Sequence, residues 1–184
     1  MNSKLFDVTP MIIIHREHCR DIDTIDEIFD EISSTYPKFR DWFRDTCVDR
    51  DCIVARTQSK QIVGILIYAK KILRTLPQDY CKLGYQDHMY KICTFMVHKD
   101  YRNGHMSYAL YQAFRNEVNR DDWIEYVSIY DEKLPATVKF FESLGFERFT
   151  SKKRTGETYF INEVSPKFYH RITVEISVTL PQEA

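Results

Sequence analysis

The run from Lys91 to Arg120 constrains the fold more than any other part of the sequence. Its first seven residues, KICTFMV, are rich in β-branched and aromatic side chains and too few for a capped helix, so they predict a buried strand. The polar residues from His98 to Gly104 end in Asn-Gly and predict a turn. Apolar side chains then recur at three- and four-residue spacing, which predicts a helix with one apolar stripe: Met106, Ala109, Leu110, Ala113, Phe114 and Val118.

A helix in this position directs the unpaired N–H groups and the positive dipole end of its first turn at the loop. An anion binds favourably at such a helix end, and a phosphate group is the natural ligand. The order of strand, polar loop and helix therefore predicts a phosphate site at the loop. The alternative is an ordinary connection between a strand and a helix, and the loop by itself does not separate the two.

The loop and the first helical turn, YRNGHMSYAL, resemble the acyl-CoA-binding motif of the GNAT superfamily of N-acetyltransferases. That motif has Gln or Arg, two free positions, Gly, one free position, and then Gly or Ala. Arg102 takes the first place, Ser107 takes the last, and His105 stands where the glycine is expected. His105 carries a Cβ, which resists a positive φ, and Gly104 stands one place earlier.

A second segment has the same resemblance. Trp123 to Tyr130 (WIEYVSIY) predicts another buried strand, and Pro135 to Leu144 predicts a short helix that Gly145 caps. The run KFFESLGFERF resembles the GNAT segment in which a helix ends in Leu-Gly-Phe before the sixth strand. Two motifs in the right order and at the right separation imply the GNAT fold for most of the chain.

The remaining elements complete the predicted fold. Further strands are predicted at 11–15, 52–56, 62–68 and 157–163. Helices are predicted at 22–32 and from Pro37 onwards. The irregular stretch 70–90 predicts an acceptor-side loop, and the alternating run 171–180 predicts an added edge strand that caps the sheet or pairs with a second subunit. We therefore predict one α/β domain over residues 1–184, with a mixed, mostly antiparallel sheet of about seven strands, splayed at strands 4 and 5, and helices on both faces.

The composition of the chain limits the kinds of partner that it is expected to bind. With 184 residues, of which 29% are charged and 43% hydrophobic, the chain suits one globular domain. The net charge of −1 argues against a general affinity for nucleic acid or an anionic membrane, although a transfer RNA is kept as a partner below. No apolar run nears the length of about 18 residues that spans a bilayer, so no membrane partner is predicted. The five cysteines are scattered without a C-x-x-C pair, which predicts reduced thiols and a cytoplasmic location.

The resemblance also implies which residues bind acetyl-CoA. In a GNAT-like site the pantetheine arm pairs with backbone groups of the fourth strand, here those of Phe95, Met96 and Val97. The pyrophosphate rests on the amides of the loop and the helix start, here those of Arg102, Asn103, Gly104, His105, Met106 and Ser107.

The groups that move protons are harder to assign. Many GNAT members protonate the leaving thiolate from a tyrosine in the helix before Leu-Gly-Phe, and Phe141 stands at that place here. Either another group donates the proton or the thiolate leaves without it, as a thiol pKa of about 8.5 permits. Tyr130, at the end of the fifth strand, is the first substitute; a half-buried packing residue is the alternative. His98, which ends the fourth strand, is a candidate proton acceptor, and a solvent-facing turn histidine is the alternative.

Three other side chains are weaker candidates. Asp87 and His88 lie on the predicted acceptor loop, and Glu125 lies on the fifth strand, where a carboxylate usually faces water. No cluster of His and Cys has metal-ligand spacing, so no metal site is predicted. Cys93 is kept as a packing residue, with a nucleophilic role left open.

Together these features predict a transferase that moves an acetyl group from acetyl-CoA to an amine of a small molecule or protein by direct attack. One alternative is a GNAT-fold acyl-CoA-binding or regulatory module with weakened catalysis, which Phe141 and His105 favour. Another alternative is a toxin-like acetyltransferase that acts on aminoacyl-tRNA. A homodimer formed through the added edge strand is a further alternative.

Overall fold

The structure, a computed structural model, describes residues 11–22, 30, 37–71, 89–102, 105–118, 123–130, 134–149 and 157–164. Several predicted elements lie outside the described residues: most of the helix at 22–32, most of the loop at 70–90, and the strand at 171–180. The loop residues Asn103 and Gly104 also lie outside them.

The described residues contain seven strands, which form one mixed sheet. In chain order they are β1 (Ile12–His18), β2 (Asp51–Thr57), β3 (Ile62–Lys71), β4 (Met89–Val97), β5 (Trp123–Tyr130), β6 (Glu147–Phe149) and β7 (Glu157–Val164). Their order across the sheet is β1-β2-β3-β4-β5-β7-β6. The pairs β1–β2, β5–β7 and β6–β7 are antiparallel and the pair β4–β5 is parallel, so the predicted mixed sheet is confirmed.

The described residues also form three α-helices: α1 (Phe39–Thr46), α2 (His105–Val118) and α3 (Leu134–Ser143). Backbone contacts divide the chain into two compact units, and both β3 and β4 contribute to each of them. The first unit takes in the described residues up to Leu66 and from Phe95 to Glu117. The second takes in those from Ile67 to Thr94 and from Val118 onwards. The single domain over residues 1–184 stays a prediction.

In the first unit, α2 packs on β3 at Gly64. Most of the apolar stripe predicted for this helix is buried, and Met106, Leu110 and Phe114 are fully so. A Cβ placed on Gly64 would lie 2.9 Å from Leu110 Cδ1 and 3.6 Å from Met106 Cγ. Because carbon atoms do not normally pack as closely as 2.9 Å, a Cβ at this position would require Leu110 or α2 to shift, and glycine permits the observed approach of α2 to β3.

The first unit also brings Cys19 together with Cys47 and Cys52, which lie 28 and 33 residues later in the sequence. The N–H of Cys19 donates to the carbonyl of Arg50 (2.9 Å), and the N–H of Arg50 donates to the carbonyl of Cys47 (2.9 Å). The thiol of Cys19 is hydrogen-bonded with those of both Cys47 and Cys52, and all three side chains are buried. The bond with Cys19, together with burial, raises the pKa of the Cys47 thiol well above its usual range. Such thiols stay protonated and unreactive.

In the second unit, the end of α3 is closed by Gly145. Gly145 has a φ of 89°, its N–H donates to the carbonyl of Glu142 (3.0 Å), and the N–H of Phe146 donates to the carbonyl of Phe141 (3.1 Å). These two bonds form a Schellman motif, and the rings of Phe141 and Phe146, 5.3 Å apart, supply its apolar contact. The predicted helix cap at Gly145 is therefore confirmed. The ring of Phe141 also lies 6.1 Å from that of Phe160, so Phe141 is a core residue of this unit.

Candidate functional site

The segment Cys93–Met96 of β4 is partly open to solvent although the strand is central. β4 lies between β3 and β5, and on β3 every side chain from Ile62 to Tyr68 is buried. On β4, by contrast, the four side chains from Cys93 to Met96 are all only half-buried. Successive side chains of a strand point to opposite faces, so solvent reaches this segment of β4 from both sides.

The pairing of β4 with β5 covers only the first part of the strand. The parallel register joins Met89–Lys91 with Ile124–Tyr126, and β4 continues beyond it to Val97. A half-exposed segment of a central strand that extends beyond its pairing with the neighbouring strand can offer backbone groups to a ligand. Phe95 and Met96, two of the three residues predicted to pair with pantetheine, lie in this segment.

A short 3-10 turn, Lys99–Tyr101, follows β4 and is closed by His98. The N–H of His98 donates to the carbonyl of Val63 on β3 (2.9 Å), and its Nδ1 accepts the N–H of Asp100 (3.3 Å). The N–H of Tyr101 donates to the carbonyl of His98 (2.9 Å), and the two rings pack edge to face with centroids 6.0 Å apart. His98 is only 8% exposed, so the alternative of a solvent-facing histidine is wrong.

Arg102 is hydrogen-bonded both to this turn and to the end of β4. Its N–H donates to the carbonyl of Lys99 (3.3 Å), and its Nε donates to the carbonyl of Val97 (2.8 Å). The third residue predicted to pair with pantetheine therefore already accepts one hydrogen bond from the chain. A carbonyl oxygen has two lone pairs, so a second donor can still bind there.

The first turn of α2 begins directly after the loop. His105 is exposed and Ser107 is half-buried, whereas the side chain of Met106 is fully buried against β3. Met106 can therefore contribute to a ligand site only through its backbone, and its side chain anchors the helix. Arg102 is hydrogen-bonded to Val97, and α2 begins three residues later in the chain; the assignment of these residues to an acetyl-CoA site stays a prediction.

The remaining candidates lie in the second unit. Tyr130 is the last residue of β5, opposite Glu157 on β7, and its catalytic role stays a prediction. Glu125 is fully buried, and its Oε2 lies 3.4 Å from Nδ2 of Asn162, its partner in the β5–β7 register. The expectation that Glu125 faces water is therefore wrong. Asp87 and His88 lie outside the described residues.

Sequence reasoning missed the part that β3 plays in this site. Val63 accepts the hydrogen bond at the start of the loop, and the next residue, Gly64, receives the first turns of α2. The available signal was the glycine inside the apolar run IVGILIY, because an isolated glycine in a strand often marks a close approach of another element. Adjacent residues of one strand therefore support both ends of the loop.

Other kinds of site find little support in the described part of the chain. No group of three or more His, Cys, Asp or Glu side chains there has an arrangement that would hold a metal ion. His15 and His18 are close in sequence, but they are three apart on β1 and so point to opposite faces. His15 contacts Glu17 (2.7 Å), and His18 contacts Asp51. Among the described helices, none is both long and apolar enough to cross a bilayer.

These features define an α/β protein with a candidate anion site between a central strand and a helix. No family model and no curated protein matches the sequence. Solved structures do match it. Arabidopsis thaliana NAA60 in complex with a bisubstrate analogue aligns over 84% of this chain and 100% of its own, with a TM-score of 0.58 and 11% identity.

Two further structures give the same result. An acetyltransferase of the GNAT family from Staphylococcus aureus aligns over 83% of this chain and 99% of its own, with a TM-score of 0.56 and 15% identity. A protein described as a bacterial toxin aligns over 89% of this chain and 99% of its own, with a TM-score of 0.59 and 13% identity. The chain therefore has the GNAT N-acetyltransferase fold.

Proposed function

We propose that this protein transfers an acetyl group from acetyl-CoA to an amine of a small molecule or protein. The observation that carries the proposal is the half-exposed segment Cys93–Met96 of β4, followed in the chain by the hydrogen-bonded turn Lys99–Tyr101 and by α2. A strand with accessible backbone suits the pantetheine arm, and a helix start suits the diphosphate. Acetyl-CoA carries both groups in one molecule.

In this proposal the amine attacks the acetyl carbonyl carbon directly. The new C–N bond forms, the C–S bond breaks, CoA leaves as a thiolate, and the amine gives up one proton. Arg102 and the amides from Asn103 to Ser107 hold the diphosphate, while the backbone of Phe95, Met96 and Val97 aligns the pantetheine. Acetyl transfer then depends mainly on positioning, because a thiolate with a conjugate-acid pKa of about 8.5 is a good leaving group.

Titration calorimetry with acetyl-CoA and with CoA tests the binding step. Ser107→Glu places a negative charge in the first turn of α2 and should weaken binding more than tenfold, because the charge repels a phosphate there. Asn116→Glu introduces the same charge at an exposed position near the other end of α2, and should leave binding unchanged. Equal affinities for the wild type and both variants would contradict the diphosphate site.

Thiol release from acetyl-CoA in the presence of pooled amines tests turnover. Tyr130→Phe removes the candidate acid while keeping the ring, and should lower kcat by about 100-fold if Tyr130 protonates the thiolate. An unchanged kcat would remove Tyr130 from the mechanism and favour departure of the thiolate without a proton donor.

The second candidate function is an acyl-CoA-binding or regulatory module that has lost turnover. The position of Phe141 supports it, because a buried phenyl ring packed between Phe146 and Phe160 has no proton to donate. Tight binding of acetyl-CoA without thiol release from any amine would favour the module over the transferase.

A third candidate is a toxin-like acetyltransferase that acts on aminoacyl-tRNA. Its support is the likeness in fold to a protein described as a bacterial toxin. Growth arrest on expression, relieved by Ser107→Glu, together with acetylation of charged tRNA in vitro, would favour this function. The cytoplasmic location and the homodimer remain predictions, and the segment assigned to a dimer contact lies outside the described residues.

A further inference from the structure

His98 is held from two sides at the point where β4 turns into the loop. Its backbone N–H is bonded to Val63 on β3 (2.9 Å), and its Nδ1 accepts the N–H of Asp100 (3.3 Å). The imidazole is nine-tenths buried and packs against the ring of Tyr101. In this arrangement His98 is the N-cap of the 3-10 turn that leads into the loop.

The hydrogen bond to Asp100 restricts what the imidazole can do chemically. Nδ1 accepts the backbone N–H of Asp100 and lies 3.7 Å from Oδ2 of the same residue, so in a neutral His98 the lone pair of this nitrogen is already engaged. In a neutral imidazole with that pattern the hydrogen is on Nε2, which then has no lone pair for an incoming proton. A histidine bonded in this way fixes a backbone conformation better than it deprotonates an amine.

We propose that His98 is a positioning residue for the acetyl-CoA site, whose imidazole holds Asp100 so that the turn Lys99–Tyr101 and the following Arg102 stay in the conformation that binds the diphosphate. The proposal rests on the proposed function. The start of the loop is tied to Val63, and α2 is seated on the next residue, Gly64. Opening the turn at Asp100 therefore changes the position of Arg102, whose N–H is bonded to Lys99 in that turn, relative to α2.

Two substitutions separate positioning from proton transfer. In His98→Asn, the Oδ1 atom takes the same place along the side chain as Nδ1, and asparagine is a favoured cap, so the bond to the N–H of Asp100 is kept. In His98→Ala the bond is lost. The apparent Kd equals the intrinsic Kd divided by the fraction of molecules in the binding-competent conformation, so it rises as that fraction falls.

The full-length protein and both variants are compared by titration with acetyl-CoA, by kcat and KM from thiol release, and by hydrogen exchange at the Asp100 amide. His98→Ala should raise the Kd and the KM for acetyl-CoA about tenfold, the effect of losing one helix cap, and should speed exchange at Asp100. His98→Asn should keep all three within about twofold of the wild type. Both variants should keep kcat at saturating acetyl-CoA within about threefold.

Other outcomes overturn the proposal in distinguishable ways. A loss of kcat in both variants with an unchanged Kd would make His98 a proton carrier instead. Wild-type affinity in His98→Ala would remove the positioning role and leave the proposed function intact, whereas a wild-type protein that binds no acetyl-CoA would remove both. If His98→Ala does not fold, His98→Gln moves the acceptor atom by one methylene and should give the same loss.

Discussion

Replacing Gly64 with alanine tests the contact that seats α2 on β3. The added Cβ would lie 2.9 Å from Leu110 Cδ1, 3.4 Å from Ala55 Cβ and 3.6 Å from Met106 Cγ. Leu110 is fully buried, so its methyl group cannot move into solvent, and either its rotamer or the helix has to shift. The perturbation is thus one extra methyl group in a closely packed contact.

The expected loss of stability follows from two opposing effects. Overpacking a core by a methyl group costs about 1–3 kcal/mol. Alanine in place of glycine contributes about 0.4–1 kcal/mol by restricting the unfolded chain. The net change is a destabilisation of about 1–2 kcal/mol, which lowers the Tm by about 2–8 °C in a chain of this length.

A double-mutant cycle with Leu110→Val identifies the contact responsible. Valine lacks a Cδ1, so Leu110→Val removes the atom that lies closest to the new Cβ, and the double variant should be more stable than the sum of the two single changes predicts. Urea unfolding followed by circular dichroism measures the four free energies. Gly64→Ala should also weaken acetyl-CoA binding, because α2 carries the proposed diphosphate site. An unchanged or higher Tm for Gly64→Ala, or strictly additive free energies, would refute the close contact.

Three further predictions concern other parts of the molecule. Gly145→Ala should destabilise by about 1–2 kcal/mol because its φ of 89° is costly for a residue with a Cβ, while Gly145→Asn should cost less; the midpoint of urea unfolding measures both. In a Cys81→Ser background, a thiol reagent should label half-buried Cys93 in the folded protein. The buried residues Cys19, Cys47 and Cys52 should be labelled only in denaturant. Rapid labelling of four thiols without denaturant would contradict their burial. The hydrogen bond from Arg56 lowers the pKa of the Glu17 carboxyl below its usual value. This pair therefore stabilises the fold fully at pH values above the ordinary pKa of glutamate, and its contribution is lost as the pH falls through the lowered pKa. Arg56→Gln should therefore flatten the decline of Tm between about pH 5 and pH 3, and an identical decline in both proteins would contradict the linkage.

Local patterns in the sequence were sufficient to predict the strand, loop and helix around the candidate site. The strand predicted at 91–97 is the C-terminal part of β4, the stripe from Met106 to Val118 is α2, and WIEYVSIY is β5. The cap at Gly145 was also predictable, because a helix followed by glycine and an apolar residue forms a Schellman motif from neighbouring residues alone. These features depend on interactions within a few residues of one another.

The sequence by itself therefore determined whether each described element is a helix or a strand, the position of the loop, and the resemblance that implied the GNAT fold. Only the tertiary structure decided which polar groups are buried and which distant residues meet. The sequence favours surface positions for His98 and Glu125, yet both are buried. His98 caps a turn and is bonded to Val63 on β3, and Glu125 lies opposite Asn162 inside the second unit. Burial depends on the elements that pack against a residue, and these come from parts of the chain that no local pattern connects.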